Sequence, residues 1–263
     1  MAYTALFQRH ELKYLLDPSQ HEALREALIP HMEPDRWPHS SVRSLYFDTQ
    51  DLVLARRSAE KPAYKEKLRL RSYGPATGDD PVFVELKKKY RGQVFKRRLQ
   101  TSCALAMAWL SDRGAAPEDS QIAREIDYAL SFYDSLAPAL LVTYERDSLR
   151  TRTPSGALAA AQAAPCNPSS PELRITFDRE IRASSQELSL EAVPSGPGLL
   201  PSSQVLMEVK CAQAVPLWLS RLFSELRIRP TSFSKYGRAW RQLAPKPQVS
   251  PTLSPWRQAA WAH

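Results

Sequence analysis

Residues 65–73 read KEKLRLRSY, which sets Lys65, Lys67, Arg69 and Arg71 at every second position with Leu68 and Leu70 between them. Alternate side chains of a β-strand point to opposite sides, so the four cations would share one face and the leucines the other. Two uses fit such a row. One is a solvated face over a leucine-lined core, the commonest use of an alternating strand. The other is a surface for a multiply charged anion, with arginine forks and lysine point charges holding successive phosphoryl groups. The alternation recurs along the chain. Glu85, Lys87 and Lys89 share a side, as do Lys96 and Arg98, Tyr144 and Arg146, Arg174 with Thr176 and Asp178, and Glu208 with Lys210. Opposite them stand Leu68, Leu70, Val84, Leu86, Leu173, Ile175, Phe177, Val205, Met207 and Val209.

The elements that must position these residues are short strands broken by Gly, Pro and Asp. They read at 42–49, 65–73, 81–89 and 93–100, and again at 139–150, 172–181 and 204–211. Apolar residues recur at helical spacing in 19–29, 103–110, 120–133, 216–226 and 233–243. The fold class is therefore α+β, an antiparallel sheet with flanking helices. A sheet of this many strands tends to curl, and closure into a barrel would put the charged face inside and the apolar face under the helices. Two like charges ~4 Å apart repel by roughly 4 kcal/mol at an effective dielectric of 20, so a basic interior calls for carboxylates, water and an anionic filling. Residues 151–171, rich in Ala, Pro and Ser, read as a loop insertion, and 245–263 as a Pro-rich tail beyond a single domain at 1–244.

Composition narrows the partner. The 263 residues carry a net charge of +8, which favours nucleic acid, a membrane surface or a phosphorylated small molecule. Eight glycines and no G-x-x-x-x-G-K-[ST] leave phosphate to be held by side chains. No recognition-helix, RNP or zinc-finger pattern points to nucleic acid. No apolar run approaches the ~20 residues of a membrane span, and the first residues lack a signal-peptide core, so a cytoplasmic protein is expected. Cys103, Cys166 and Cys211 have neither disulfide nor zinc-site spacing and read as reduced.

Nine stretches occur in a specific order: RHELKY (9–14), SLYFDT (44–49), KLRLRSY (67–73), FVELKKK (83–89), VFKRRL (94–99), YERDSLR (144–150), LRITFD (173–178), LMEVK (206–210) and FSKYGRA (233–239). In this the chain resembles the VTC domain, the polyphosphate polymerase module of the vacuolar transporter chaperone complex, within the triphosphate tunnel metalloenzyme superfamily. The resemblance implies a closed antiparallel β-barrel with a basic tunnel, and synthesis of polyphosphate from ATP with Mn²⁺ or Mg²⁺. By position it implies phosphate binding by Lys13, Arg69, Arg71, Lys87, Lys96, Arg146, Arg174 and Lys235, with Arg69, Arg71, Lys87, Lys96, Arg146 and Arg174 as the catalytic set. It implies Glu208 as the metal-binding carboxylate, against the plainer reading of an ion pair with Lys210 or an arginine. Glu11 and Glu85 are expected to orient the basic residues, and Tyr46, Asp48 and Tyr144 to support them or simply to pack.

The chain departs from that pattern in two places. Hydrolytic members begin E-x-E-x-K, whereas RHELK has Arg9 at the first glutamate, which removes a metal ligand and disfavours a two-metal hydrolase. Ser232 stands where the resemblance implies a second lysine. The related eukaryotic proteins carry membrane segments, so any channel here would be a separate membrane protein. A polyphosphate-binding or sensing module, and a triphosphatase acting on inorganic triphosphate or nucleotides, need the same basic tunnel and stay open.

Overall fold

The computed structural model describes residues 10–60, 62–91, 93–133, 135–152, 173–212 and 214–243. Arg9, Cys166, nearly all of the insertion (153–171) and the tail from 245 lie outside the described residues. Among the described residues, nine strands make one antiparallel sheet. They are β1 (His10–Leu16), β2 (Met32–Asp48), β3 (Tyr64–Tyr73), β4 (Pro81–Tyr90), β5 (Gln93–Ser102), β6 (Ala137–Thr151), β7 (Arg174–Ser184), β8 (Val205–Cys211) and β9 (Pro230–Thr231). The helices are α1 (Pro18–Leu28), α2 (Val53–Glu60), α3 (Cys103–Asp112), α4 (Gln121–Phe132), α5 (Leu217–Glu225) and α6 (Lys235–Leu243).

Local chemistry starts the helices where the chain leaves the sheet. Asp17 accepts from the Gln20 N–H at 2.8 Å while the Gln20 side chain accepts from the Asp17 N–H, a reciprocal cap with Pro18 in the first turn of α1. Ser102 and Ser120 cap α3 and α4, their hydroxyls accepting from the N–H groups of Leu105 and Ala123. The start of α2 depends on Asp48, at the end of β2. Its carboxylate accepts from the N–H groups of Leu54 and Ala55, each at 2.8 Å, and from the Tyr236 hydroxyl of α6.

Every apolar residue named from the strand alternation is buried. Leu68, Leu70, Val84 and Leu86, with Leu45 and Phe47 of β2, pack with Ala106 and Trp109 of α3 and Ile126 of α4. Ile175, Phe177, Val205, Met207 and Val209 pack with Leu24 and Leu28 of α1 and Leu219 and Phe223 of α5. The helices therefore clothe one side of the sheet. The other side carries the charges, in rows fixed by register: Lys67, Lys87 and Lys96 stand side by side on β3, β4 and β5, and Arg69, Glu85 and Arg98 in the next row.

The strand order is β5-β4-β3-β2-β6-β7-β8-β1-β9. In that order β4 and β1 are six strands apart, roughly 29 Å across a flat sheet at ~4.8 Å per strand. Yet Lys87 Nζ of β4 lies 3.7 Å from Glu11 Oε2 of β1. The sheet is therefore curled with its charged face inward. The expected barrel differs in one respect: the ladder has two ends, β5 and β9, with no pairing between them among the described residues. Side chains, not backbone hydrogen bonds, draw the far strands together.

Besides the two-residue β9, which the pattern does not announce, three elements differ from the sequence expectation. β2 begins at Met32, ten residues before the expected 42, because Pro34 and Pro38 suggest a break; the chain absorbs them in a register shift between Pro34 and His39. β1 is a short strand not foreseen from its pattern, and its alternation is clear only once β8 is beside it. α2 spans just eight residues and takes its cap from a strand residue five positions earlier.

Asp48→Ala should destabilise the fold by about 3 kcal/mol or more in urea titration, since each buried group left without a partner costs about 1–3 kcal/mol. A loss below about 1 kcal/mol would show that α2 and α6 hold without this carboxylate.

Candidate functional site

Two carboxylates organise the inward face. Glu85 has a side chain only 1% exposed and accepts from Arg69 Nε at 2.8 Å, Lys96 Nζ at 2.8 Å and Arg98 Nε at 2.6 Å, with Arg71 Nη1 at 3.9 Å. Glu208, on β8, lies 3.3 Å from Lys13 Nζ, 3.5 Å from Lys235 Nζ, 3.6 Å from Arg146 Nη2 and 4.0 Å from Lys210 Nζ. Two further acids bind these groups together. Asp178 takes a two-pronged contact from Arg146 at 2.6 and 2.7 Å and one from Lys235 at 2.5 Å. Glu11 reaches Lys13 at 3.4 Å as well as Lys87.

Hydroxyls and a carbonyl complete the positioning. Tyr46 Oη accepts from Arg69 Nη1 at 3.1 Å, while Tyr144 Oη and Ser44 Oγ each accept from Arg71 at 3.2 Å. Lys13 Nζ donates to the Phe233 carbonyl at 3.1 Å, which ties β1 to the turn before α6. The Tyr46 ring stacks on Tyr236 with centroids 4.2 Å apart, so the Asp48–Tyr236 hydrogen bond supports the tyrosine that receives Arg69.

Burial alone would raise the pKa of these carboxyls. The cations prevail. Arg69, Arg71 and Lys96 hold Glu85 far below the usual carboxylate range, and Lys235, Lys13 and Arg146 do the same to Glu208. Lys235 and Arg146 depress Asp178, and Lys87 and Lys13 depress Glu11 against the opposing charge of Glu208. All four are thus firmly ionised, and all are weak bases.

The structure brings Lys13, Arg69, Arg71, Lys87, Lys96, Arg146 and Lys235 into this one array around Glu85 and Glu208. Arg174 is on the same face, in register with Lys210, but at its margin: its side chain is 46% exposed and its Nη2 pairs with Asp35 at 2.6 Å. Asp48 faces the helices. Tyr46 and Tyr144 are buried partners of the arginines. The sequence reading left Lys67, Arg98, Lys210 and Asp178 out of the site. The strand alternation carries the signal: Lys67, Arg98 and Lys210 each sit two positions, and Asp178 four, from a selected residue on the same strand face.

Among the described residues, no group of three or more His, Cys, Asp or Glu stands together as a metal cage. Glu208 offers a single carboxylate amid four cations. Such a donor suits Mg²⁺ or Mn²⁺ only as an ion that takes most of its ligands from water and from phosphate oxygens.

Ten basic side chains (Lys13, Lys67, Arg69, Arg71, Lys87, Lys96, Arg98, Arg146, Lys210 and Lys235) and four carboxylates thus stand on the inner face of the curled sheet of an α+β protein. The chain belongs to the VTC domain family, whose pattern matches residues 8–156 and 163–244. Among solved structures it is similar to a candidate adenylate cyclase from Bacillus halodurans, at 12% identity over 89% of this chain and 96% of that one, with a TM-score of 0.48. It is also similar to a candidate adenylyl cyclase from Hippeastrum, reported to have a dominant triphosphatase activity, at 16% identity over 88% and 95% of the two chains, with a TM-score of 0.49. No curated protein matches.

Glu85→Gln should cost about 3–5 kcal/mol near neutral pH, the usual effect of removing one partner from a buried ionic cluster. Because the folded-state pKa of Glu85 is depressed, its contribution is full above the unfolded value near 4.3 and is lost as pH falls below it. The gap between wild type and variant in urea titrations from pH 7 to pH 2.5 should therefore be constant above about pH 4.5 and narrow progressively below about pH 4; a gap that stays constant to pH 2.5 would show that the Glu85 charge is not the source.

Proposed function

We propose that this chain is a polyphosphate polymerase that transfers the γ-phosphate of ATP to the end of a polyphosphate chain lying in a tunnel formed by the curled sheet. One observation carries the choice of acceptor: each inner carboxylate has at least two cations within 4.0 Å, which favour its ionised form and make it a poor proton acceptor. Water as attacker needs a base. A terminal phosphate is already anionic near neutral pH and needs none, so a basic array with no effective carboxylate base suits a phosphate acceptor.

The chemistry is then positioning and charge neutralisation. Arg69, Arg71, Arg98 and Lys96, fanned around Glu85, present forks and a point charge to one stretch of phosphoryl oxygens. Arg146, Lys13, Lys210 and Lys235, around Glu208 and Asp178, do the same for the next, with Lys87 linking the two through Glu11. Arg174 is suited to the mouth, where a chain enters or leaves. Glu208 would hold Mn²⁺ or Mg²⁺ together with phosphate oxygens, and that ion would supply Lewis-acid neutralisation of charge on the transferring group. Among the described residues no helix is long and apolar enough to cross a membrane. We place the protein in the cytoplasm with ATP, and assign any export of the polymer to a separate membrane protein.

Incubation with ATP and Mn²⁺, followed by separation of polyphosphate, ADP and free phosphate, tests the proposal. Polyphosphate and ADP in step are expected. Free phosphate as the main product would make the chain a triphosphatase, and binding of polyphosphate with no product would make it a sensing module. Glu208→Gln should lower metal-dependent turnover by about 100-fold and leave metal-free polyphosphate binding as tight or tighter. Full metal-dependent turnover in a variant of normal thermal stability would remove Glu208 from metal binding. Polyphosphate affinity should also fall steeply with salt and exceed that for duplex DNA of equal charge, because only a thin chain threads the curl; equal affinities at several salt concentrations would point to a general basic surface.

A further inference from the structure

Lys67 is unlike the other basic groups of the array. Lys13, Arg69, Arg71, Lys87, Lys96, Arg98, Arg146, Lys210 and Lys235 each have a carboxylate within 4.0 Å. Lys67 has none among the described residues. Its Nζ donates to Ser234 Oγ at 3.0 Å and lies 5.7 Å from the centre of the Tyr236 ring. The groups facing it are otherwise cationic: Lys13 from β1, Lys65 and Arg69 from its own strand, Lys87 from β4, and Lys96 one strand further in the same row. Tyr46 of β2 adjoins this neighbourhood through its stack on Tyr236 and the hydrogen bond it accepts from Arg69, and Glu11 is engaged by Lys13 and Lys87.

A cation among cations with one hydroxyl partner is an incomplete arrangement. We propose that Lys67 is an anion-seating residue, whose counter-charge comes from the bound phosphoryl group and not from the protein. Ser234 fits either state of the amine, since its hydroxyl accepts from an ammonium and donates to a neutral amine. Burial and the charges of Lys13, Lys87, Arg69 and Lys65 push the Lys67 pKa well down in the empty protein. A bound polyanion reverses that balance, so a proton passes from solvent to Lys67 Nζ as the anion enters. The direction follows: binding takes up a proton, and affinity falls as pH rises between the empty-state and occupied-state pKa of this group. Once protonated, Lys67 cannot act as a base toward water, which agrees with a phosphate acceptor.

The inference rests on the proposed function only in requiring that a phosphorylated anion occupies this face. It is tested by calorimetric titration of the full chain with metal-free inorganic triphosphate, in pairs of buffers of unlike ionisation enthalpy, from pH 7 to pH 9.5. Wild type should take up more protons than Lys67→Arg, by as much as one, because the guanidinium stays charged throughout. Lys67→Arg should bind within a few-fold of wild type, and Lys67→Met about tenfold or more weakly, with melting temperature unchanged or raised in both. Equal proton uptake by wild type and Lys67→Arg at every pH, or full affinity in Lys67→Met, would overturn the assignment. Lys67-linked uptake in a protein that makes no polyphosphate would leave it standing and overturn the polymerase reading alone.

Discussion

Everything on the inner face depends on a few carboxylates being shared among many cations. An isolated buried charge is prohibitive, and a buried pair is at best a small gain. Here Glu85 and Glu208 each serve four basic groups, so no pair is saturated and the face keeps a surplus of positive charge. The arrangement fixes the side chains without neutralising them. It is stable enough to fold, yet the surplus stays unneutralised in a low-dielectric hollow, and under the proposed function that is the charge a polyanion would supply.

The curl that makes the hollow follows from the two faces of the sheet. Helices α1 and α5 cover one end of the apolar side and α3 and α4 the other, each bringing leucine or aromatic side chains to the strands beneath. A sheet wrapped by helices on one side bends so that its bare side is concave, and Lys87 and Glu11 meet across that concavity although their strands are far apart in the ladder. Helix α6 is fastened at its first turn: Lys235 reaches Asp178 of β7, while the next residue, Tyr236, is held by Asp48 at the end of β2 and stacks on Tyr46.

Much of this was legible in the sequence because strand parity is a local rule. Once KEKLRLRSY is a strand, Leu68 and Leu70 must oppose Lys67, Arg69 and Arg71 wherever the strand goes. The less legible parts are those decided by distant partners. Nothing near Asp48 says that it will cap α2 and take a hydroxyl from α6, and nothing in RHELKY says that Glu11 will bridge to β4. The prolines of β2 mislead because a long strand can carry them at a register shift. For Glu208 the sequence leaves a metal ligand and an ion-pair partner of Lys210 or an arginine both open, and the full set of four cations around it forms only when β1, β6, β8 and α6 are assembled.

The open ladder has a further consequence. A strand at the end of a sheet displays unpaired backbone donors and acceptors, and such an edge recruits strands from other molecules. Both ends of this sheet are poor templates. β9 is two residues long and begins with Pro230, which has no N–H to give. β5 carries Lys96, Arg97 and Arg98 in succession along its exposed edge, so a second copy approaching in register meets its own charge. The basic residues that line the hollow thus also keep the seam of the sheet from pairing edge to edge with another copy, and the fold can leave its ring of hydrogen bonds incomplete without inviting fibrous growth.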